Sequence, residues 1–569
     1  MAPTKATSTL GRILARSDAP RYLLPKIAAA HGGTAKGVDA LNLDAYDVLR
    51  NAGATLDVAD RVADTLKLSL DQRALGHAEW ALCSRTMIAM SMLCAKVRFA
   101  LEISEATTYK MLKKLVSAGN LIEMQGQVVS ATHYAKNVFI ARDISRRSIR
   151  LPEPNAGLAE SFATITNVTP EQRAALDAAI FSRISIITGG PGTGKSHVVR
   201  EMVAAFPYTK VTAPTGRAAR NASGKTVHYF KTIQESGKND FAGIGLIIVD
   251  EASMLSTELM NSVLEMAPDN AHIVLVGDVD QLPPIDAGNV LHDLIAYGSW
   301  HPVTRLLANH RSATGIQTFA AGILEGKVAL GPGINIVPCD SFNDVVNALP
   351  GRTVGDWIVL TPHNVTRVKL NKALQLYLAD DELEITLAKD FPDAPRGTRG
   401  VASYSGNGVT VLADNGVSFQ STLAAAGDLI DVDTRAGGMR AESGLVLLPG
   451  NKIIVTKNTP DVCNGDIGTF ESFGMARIDD ATVAIPAVSE SDPGMTLAYA
   501  VTVHKAQGSE FDTVIVPVTN VQAWDRALLY TAITRAKTQV YLLGSQEDIE
   551  TIIGTIRPAR PSILRDLLN

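Results

Sequence analysis

Seven short apolar segments punctuate the last two thirds of the chain and alternate with stretches of helical character. They read SIITGG, KVTAP, LIIVDE, HIVLVGD, WIVLTP, TVIVPV and VYLLGS. Strands that are apolar throughout and separated by helices are typical of parallel sheets covered by helices on both faces. Because the segments fall into two groups along the chain, we predict two α/β domains.

The length of the chain allows further domains. At 569 residues it exceeds what one hydrophobic core organises. Apolar residues recur at helical spacing over residues 1 to 150, and the following LPEPNAG has the turn-forming composition of a linker. A glycine-rich stretch with short β-type runs follows much later. We predict a mostly helical domain at 1–150, a first α/β domain at 151–300, a second at 301–395 and 491–569, and an inserted β-barrel at 396–490.

One part of the helical region has the outline of a winged helix. Ser104 is a good N-cap for a helix that ends at Gly119-Asn120, and two short strands then meet at Gln125-Gly126. A winged helix binds either DNA or protein, and a generic helical packing domain fits the same pattern equally well.

Composition narrows the class of protein without naming it. The net charge of −5 gives no overall attraction to a polyanion, so any nucleic-acid path must rest on local positive surface. The four cysteines are scattered without metal-binding or disulfide spacing, which favours a reducing cytoplasm. The sequence contains neither a membrane-length apolar run nor the apolar core of a secretory signal, so we expect no membrane association. An amphipathic presequence is the alternative for the first residues.

A phosphate-binding loop is the strongest single motif. SIITGGPGTGKSHVV matches G-x-x-x-x-G-K-[ST] through Gly189, Gly194, Lys195 and Ser196, after an apolar strand and before a helix. Glycines allow backbone N–H groups to surround phosphate oxygens, the lysine adds charge at the β- and γ-phosphates, and the serine hydroxyl suits Mg²⁺. The strand and helix on either side disfavour a chance glycine-rich turn. The sequence therefore predicts that this loop binds a nucleoside triphosphate together with Mg²⁺.

Two carboxylates complete a predicted hydrolytic site. Asp250 and Glu251 follow the apolar run LIIV directly, so both emerge at the carboxyl end of a strand, where ligands bind in open α/β sheets. We assign Asp250 to the Mg²⁺ side and Glu251 to the water that attacks the γ-phosphate. A small-molecule kinase or a switch GTPase could carry the same three features, so they predict nucleotide hydrolysis but not its purpose.

The remaining motifs resemble those of a known family. VLVGDVDQLPPIDAG at 274 to 288, TVHKAQGSEFDTVIV and LLYTAITRAK are similar, in this order, to the motifs of RecD-like helicases, the 5′-to-3′ branch of superfamily one. The resemblance covers about residues 165 to 545. It implies two RecA-like parallel-sheet domains, a helical N-terminal domain and an SH3-like β-barrel inserted in the second RecA-like domain. It also implies an ATP-dependent monomer that moves 5′-to-3′ on single-stranded DNA and unwinds duplex at junctions, with single-strand-binding or replication and repair proteins as partners.

The resemblance assigns further residues to the nucleotide. Gln172 is similar to the glutamine that reads the adenine edge, and Gln281 to the γ-phosphate sensor that joins the two domains. Arg311 and Arg535 resemble the two arginines that approach the γ-phosphate from the second domain, a role that suits the permanently charged, bidentate guanidinium. Glu510 resembles a residue that faces the ribose or an inter-domain arginine. The whole predicted nucleotide set is Gln172, Gly189, Gly190, Pro191, Gly192, Thr193, Gly194, Lys195, Ser196, His197, Asp250, Glu251, Gln281, Arg311, Glu510 and Arg535.

The same comparison of motifs assigns contacts to DNA. Short hydroxyl, imidazole and backbone donors reach phosphates without reading bases, as movement independent of sequence requires. The predicted set in the first domain is Pro214, Thr215, Gly216, Arg217, Thr226 and His228. In the second domain it is Thr361, His363, Thr502, His504 and Lys505. Any one of these residues alone could be a loop or capping group.

The interval that holds the strand-separating pin in this family is short here. It reads YFKTIQESGKNDFAGIG, and we expect a small hairpin at about 229–245 that turns at Ser236 to Asn239. Two alternatives to a helicase follow. The first is a DNA-stimulated translocase that clamps DNA or displaces bound proteins without efficient unwinding, and the second is a phosphotransferase that ignores DNA.

Overall fold

The computed structural model describes residues 8–20, 23–31, 33–82, 87–237, 240–296, 301–308, 314–339, 345, 349, 356–379, 382–390, 393–405, 408–421, 430–432, 439–440, 445–459, 461–479, 481–487, 494–518 and 520–568. Among these residues, no helix has both the length and the apolar character needed to cross a bilayer.

The N-terminal region is helical, as predicted. Its first five helices are α1 Thr9–Arg16, α2 Leu23–Ala30, α3 Thr34–Asn51, α4 Leu56–Leu66 and α5 Leu70–Leu82. Thr55 illustrates why they form, because its hydroxyl accepts a hydrogen bond from the amide of Val58 at the start of α4. Val58 and Val62, one turn apart, then bury the same face of α4.

A small helix-and-hairpin unit follows. It contains β1 Ile88–Ala89, α6 Met90–Leu101, α7 Glu105–Ser117, β2 Leu121–Met124 and β3 Gln127–Ser130. Ser104 caps α7 through the amide of Thr107, and Gln125 and Gly126 turn the hairpin with φ of 50° and 77°. The strands pair antiparallel in the order β1-β3-β2. Counting α5, the order helix, strand, helix, helix, hairpin is that of a winged helix.

Helix α8, Ala131–Arg147, fixes this region to the first α/β domain. The Arg147 side chain is 1% exposed and its Nε donates to Asp143 at 2.6 Å. Its other guanidinium nitrogens donate to the backbone carbonyls of Ala267, Pro268 and Ala271. These hydrogen bonds hold α8 against residues 267–271, the loop that precedes the strand His272–Gly277 of the first α/β domain.

The first α/β domain has a six-stranded parallel sheet in the order β6-β5-β7-β8-β4-β9. Its strands are β4 Ile184–Thr188, β5 Thr209–Ala213, β6 Lys225–Thr226, β7 Leu246–Val249, β8 His272–Gly277 and β9 Val303–Arg305. Its helices are α9 Ala156–Ala163, α10 Pro170–Phe181, α11 Lys195–Ala205, α12 Gly216–Asn221, α13 Val227–Glu235, α14 Thr257–Met266 and α15 Val290–Ala296. Strands β4, β7 and β8 are buried along their whole length, which is why apolar residues predominate in them.

The second α/β domain has a five-stranded parallel sheet in the order β10-β26-β25-β11-β24. Its strands are β10 Ile334–Val337, β11 Trp357–Thr361, β24 Ala500–Thr502, β25 Phe511–Pro517 and β26 Ala536–Leu543. Its helices are α16 Thr314–Glu325, α17 Asn364–Leu378, α18 Arg526–Ile533 and α19 Gln546–Gly554. The last helix, α20 Ile563–Leu568, leaves this domain: Leu564 and Leu568 join the core of the first domain beside α8. The predicted boundary of the second domain at 569 is therefore wrong for this helix.

Within the described residues, the inserted β region forms two antiparallel five-stranded sheets and a two-stranded sheet of β17 and β18, so the single SH3-like barrel is not confirmed. The sheet orders are β15-β14-β13-β12-β16 and β22-β21-β20-β19-β23. The strands are β12 Leu383–Leu387, β13 Arg399–Ser405, β14 Gly408–Ala413, β15 Ser418–Ser421, β16 Ile430–Val432, β17 Met439–Arg440, β18 Val446–Leu447, β19 Lys452–Val455, β20 Ile467–Ser472, β21 Met475–Ile478, β22 Ala481–Ala484 and β23 Met495–Leu497. The region begins at Leu383, earlier than predicted, because Ile385 and Leu387 alternate into the core and make β12 a strand.

The predicted hairpin at about 229–245 is wrong for the residues that the structure describes. Helix α13 covers Val227–Glu235, and no residue of 236–237 or 240–245 is in a strand. Thr226 caps this helix, and Val227 and Phe230, three residues apart, bury one face of it. The N-cap and the buried face stabilise a helix here despite the turn-forming residues at Ser236. Residues 238–239 of the predicted turn lie outside the described residues.

Candidate functional site

The glycine-rich loop joins β4 to α11 at the carboxyl edge of the first sheet. Gly192 and Gly194 have φ of 78° and 87°, the left-handed conformation that favours glycine. Lys195 Nζ donates to the carbonyls of Gly189 at 2.6 Å and Gly190 at 2.9 Å. Burial lowers the pKa of Lys195, and the carboxylates of Asp278, Glu251 and Asp250 oppose that shift. The ammonium group thus lies inside the curve of the loop, where phosphate oxygens would replace the two carbonyls.

The two predicted carboxylates lie beside this loop. Asp250 follows β7, and its Oδ1 accepts a hydrogen bond from the Glu251 amide at 2.9 Å. Burial, together with the negative charge of Glu251, raises the pKa of Asp250 to about 7. A divalent cation beside Asp250 would stabilise the ionised carboxylate and so oppose the rise in pKa that burial causes. Asp250, with the Ser196 hydroxyl at the loop, therefore fits an Mg²⁺ site.

The segment after β8 is bonded to the second domain. Asp278 Oδ2 accepts from the Tyr530 hydroxyl at 2.8 Å, and the Leu282 amide donates to Thr531 Oγ1 at 2.9 Å. Gln281 Nε2 also approaches Asp278 Oδ2, at 3.4 Å. Gln281 Oε1 is buried and has no hydrogen-bond partner among the described residues. The glutamine thus carries an unpaired acceptor at the junction of the two domains.

One cavity of about 610 Å³ collects most of the predicted nucleotide residues from both domains. Its lining is Pro191, Gly192, Thr193, Gly194, Lys195, Ser196, His197, Arg200, Arg217, Ala218, Asn221, Asp250, Glu251, Gln281, Gly508, Glu510, Thr534, Arg535 and Lys537. Arg535 is 5% exposed, and its guanidinium donates to the Thr531 carbonyl at 3.2 Å and to Thr534 Oγ1 at 3.3 Å. The volume suits a nucleotide. The other predicted arginine, Arg311, lies outside the described residues.

A second cavity of about 450 Å³ adjoins the first and shares Gly194 and His197 with it. Gln172 lines this second cavity and is buried. Its Oε1 accepts from the Thr169 amide at 3.0 Å, which forms the capping box of α10. The structure thus places Gln172 next to the glycine-rich loop while giving its carbonyl oxygen a role at the helix end. Its predicted contact with adenine stays a prediction.

The predicted DNA residues of the first domain come together through the sheet. Strands β5 and β6 are parallel with Ala213 opposite Thr226, so Pro214 and Thr226 lie at the same carboxyl edge. Thr215 and Thr226 each cap a helix, accepting from the amides of Ala218 and Tyr229. His228 is exposed on the first turn of α13, the position among these that is most open to a ligand.

The second domain repeats this arrangement. Strands β11 and β24 are parallel with Thr361 opposite Thr502. Both threonines are buried, at 0% and 8% exposure, and the hydroxyl of Thr361 donates to the His363 carbonyl at 3.2 Å. Burial, with the nearby cation Arg560, lowers the pKa of His504. His363 is exposed, so it is the predicted DNA residue here that lies at the surface; Lys505 is half-buried.

Helix α12 faces the second domain. Gly216 lies against Cys463, because a Cβ at residue 216 would come within 2.5 Å of the Cys463 Cβ. The Arg217 guanidinium lies 5.9 Å from the ring centroid of Phe511 and lines the nucleotide cavity together with Glu510. The structure therefore puts Gly216 and Arg217 at the interface between domains, and their predicted contact with DNA stays a prediction.

Sequence reasoning missed the groups that join the two domains. Asp278 and Tyr530 lie within the quoted blocks VLVGDVDQLPP and LLYTAITRAK, but only the glutamine and the arginine of those blocks were assigned roles. Arg220 of α12 was missed too; it pairs with Asp466 of the inserted region at 2.7 Å. Nothing local marks these residues, since each pair joins positions more than 240 residues apart.

Comparison with known proteins gives matches in both α/β domains. Residues 167–333 match the AAA domain family, and residues 497–543 match the UvrD-like helicase C-terminal domain family. The ATP-dependent RecD2 DNA helicase of Deinococcus radiodurans is 28% identical over 427 residues, which are 70% of this chain and 52% of that protein. The RecBCD enzyme subunit RecD of Mycobacterium tuberculosis is 28% identical over 448 residues, 69% of this chain and 72% of that protein.

The chain thus spans about half the length of the Deinococcus relative. Among solved structures, the Pif1 helicase from Bacteroides in complex with ADP-AlF3 and ssDNA matches with 16% identity and a TM-score of 0.37, over 69% of this chain and 95% of that one. The sequence matches confirm the resemblance that the motifs indicated. The chain is a relative of the RecD-like helicases.

Proposed function

We propose that this protein is an ATP- and Mg²⁺-dependent motor that moves 5′-to-3′ along single-stranded DNA and unwinds duplex. One observation carries the proposal: the cavity that is lined by Lys195, Asp250 and Glu251 of the first domain is also lined by Arg535 of the second. A nucleotide bound there would touch both domains, so its binding and hydrolysis would change the distance between them.

The residues of the cavity have distinct roles in this proposal. Lys195 exchanges its two loop carbonyls for phosphate oxygens, and Glu251 orients the attacking water. Ser196 and Asp250 would hold Mg²⁺, which would supply positive charge against the phosphates when it is bound with ATP. Arg535 brings a permanent positive charge to the γ-phosphate from the opposite domain.

DNA contact is proposed for the two carboxyl edges that carry Thr226 and His228 in one domain and Thr361 and His363 in the other. Support comes from the parallel pairing that puts the predicted residues of each domain side by side. Groups that reach phosphates rather than bases allow movement on any sequence. The 5′-to-3′ direction rests on the resemblance alone, and single-strand-binding or repair proteins stay predicted partners.

A second candidate is a translocase that clamps DNA or displaces proteins without efficient unwinding. The observation that favours it is α13, which occupies the interval where a separating hairpin was expected. Strand separation and protein displacement, measured on one preparation, distinguish the two candidates: a pure translocase clears bound protein from single strands and leaves duplex intact.

The decisive experiment measures ATP turnover with and without single-stranded DNA, and unwinding of duplexes with a 5′ or a 3′ tail. We expect DNA to stimulate turnover strongly and only the 5′-tailed duplex to open. Lys195→Ala should abolish both activities, because it removes the buried ammonium group that lies inside the curve of the glycine-rich loop. Equal opening of the 3′-tailed duplex would refute the polarity, and unwinding by the Lys195→Ala variant would refute the motor. Matched RNA strands decide the choice of nucleic acid.

A further inference from the structure

An exposed aromatic side chain lies among the predicted DNA contacts of the first domain. Tyr229 is 46% exposed, on the first turn of α13. Its ring packs edge-on against Phe230, with centroids 5.5 Å apart, and Phe230 packs in turn against Phe241 at 5.0 Å. Phe230 and Phe241 are both buried. The Tyr229 ring is therefore held from below while part of its surface stays open to solvent.

A positive charge accompanies this ring. Lys225 Nζ lies 5.5 Å from the ring centroid of Tyr229. Lys225 and Thr226 form β6, whose partner β5 leads into Pro214 at the same edge of the sheet. His228 is exposed beside Tyr229, and the amino end of α13 favours anions because its first N–H groups point outward. The aromatic ring of Tyr229 thus lies near three groups that can bind phosphate: Lys225, His228 and the amino end of α13.

A single strand offers two kinds of surface, and the contacts assigned so far use one. Threonine hydroxyls, imidazoles and a helix end bind phosphates, whereas unpaired bases expose flat rings. Aromatic side chains bind such rings by stacking, and every base has a ring face, so this contact does not depend on sequence. Tyr229 supplies such a ring, and the Lys225 ammonium group lies over it at 5.5 Å from the centroid.

We propose that Tyr229 is a base-stacking residue of the single-strand path and that Lys225 binds the neighbouring phosphate. The proposal rests on the proposed function, since it needs the carboxyl edge of the first sheet to carry DNA. It adds to that function a contact with the bases, in the segment where a separating hairpin was expected. Because Phe230 and Phe241 support the Tyr229 ring, a base stacked on it would stay with the first domain while the second domain moves.

The test compares two ligands with the same number of phosphates: a short labelled thymidine oligonucleotide and its counterpart made of abasic sugars. Fluorescence anisotropy at fixed salt gives the affinity of wild type, Tyr229→Ala, Tyr229→Leu and Tyr229→Phe for each. Tyr208→Ala is the matched control, because Tyr208 is 60% exposed, packs edge-on against Phe206, and lies at the opposite, amino edge of β5.

We expect Tyr229→Ala and Tyr229→Leu to bind the thymidine strand at least about 5-fold more weakly than wild type, the lower bound for one stacked base. Their affinity for the abasic strand should match wild type, and Tyr229→Phe and Tyr208→Ala should match it on both strands. Equal losses on both strands, or wild-type affinity of Tyr229→Leu for thymidine, would overturn the proposal. Leucine still covers Phe230, so this variant serves if alanine unfolds the protein. A wild type that binds neither strand refutes the proposed function itself.

Discussion

Replacing Arg147 with methionine is expected to loosen the junction between the N-terminal region and the first α/β domain. Arg147 is the last residue of α8, and its guanidinium joins Asp143 on the same helix to the carbonyls of Ala267, Pro268 and Ala271. Methionine keeps most of the side-chain volume but removes every donor. The substitution therefore tests the polar contacts rather than the packing.

The magnitude follows from burial on both sides of the ion pair. The side chains of Arg147 and Asp143 are 1% and 9% exposed, so water cannot replace the lost partner. Removing one member of a buried pair costs about 3–5 kcal/mol, because the remaining charge loses a partner that water cannot replace. Asp143 then keeps its ion pair with Arg146, whose side chain is 47% exposed. Since each 1.4 kcal/mol is a factor of ten, amide exchange in α8 should become roughly 10²- to 10⁴-fold faster if it proceeds through local opening.

Native-state hydrogen exchange is the appropriate assay, because a protein with several domains does not unfold in a single two-state step. Arg146→Met is the matched control: Arg146 also bonds Asp143, at 2.5 Å, but its side chain is 47% exposed. An exposed pair of this kind contributes less than about 1 kcal/mol, so α8 should stay protected in the control. Exchange in α8 that is no faster in Arg147→Met than in Arg146→Met would refute the reasoning.

Three further predictions concern the cleft, the domain interface and pH. Arg535→Ala should lower kcat for ATP on the order of 10³-fold with nucleotide binding largely kept, because the guanidinium acts on charge in the transition state; steady-state turnover near wild type would contradict this. Arg220→Met and Asp466→Asn should each lower Tm, because each substitution breaks the same ion pair. The double variant should have no lower Tm than either single variant. Losses of Tm that add together would show that the two residues act separately. Burial, with the nearby Asp44 charge, raises the pKa of Glu79 from its ordinary 4.5 to about 7. The folded state therefore binds the proton more tightly than the unfolded state, and the free energy of unfolding should fall by on the order of 2 kcal/mol as the pH rises from 4.5 to 7. Glu79→Gln should remove the corresponding fall in Tm, and a variant with the same pH profile as wild type would show that Glu79 is not its cause.

The local parts of the site could be predicted from the sequence. The loop of Lys195 and the carboxylate of Asp250 each follow a strand that is buried along its whole length, and the carboxyl ends of parallel strands meet at one edge. The position of each group was therefore fixed by its own short segment. Thr361 and Thr502, which were predicted only as DNA contacts of one domain, lie opposite each other for a similar reason, since each threonine ends a strand of one sheet.

The parts that depend on competition or on distant partners could not be predicted. Turn-forming residues around Ser236 suggested a hairpin, but Thr226 caps a helix whose apolar residues find a core, and burial decided the outcome. Helix α20 lies more than 250 residues after the first α/β domain in the sequence, yet its Leu568 packs in the core of that domain. Local patterns show which face of a helix is apolar, but they do not show which surface will cover that face.

Helix α12 shows how these two kinds of information meet in the proposed mechanism. The helix starts directly after Pro214 and Thr215, which a local motif assigned to DNA. Near its carboxyl end, two residues form polar contacts with the other half of the molecule: Arg220 pairs with Asp466, and Asn221 Nδ2 donates to the Gly508 carbonyl at 3.1 Å. Because these contacts join α12 to the second domain, a change in the separation of the two domains would displace α12 or break them. Either event would move or release the segment proposed to hold DNA, so the same short helix would link the nucleotide to the strand.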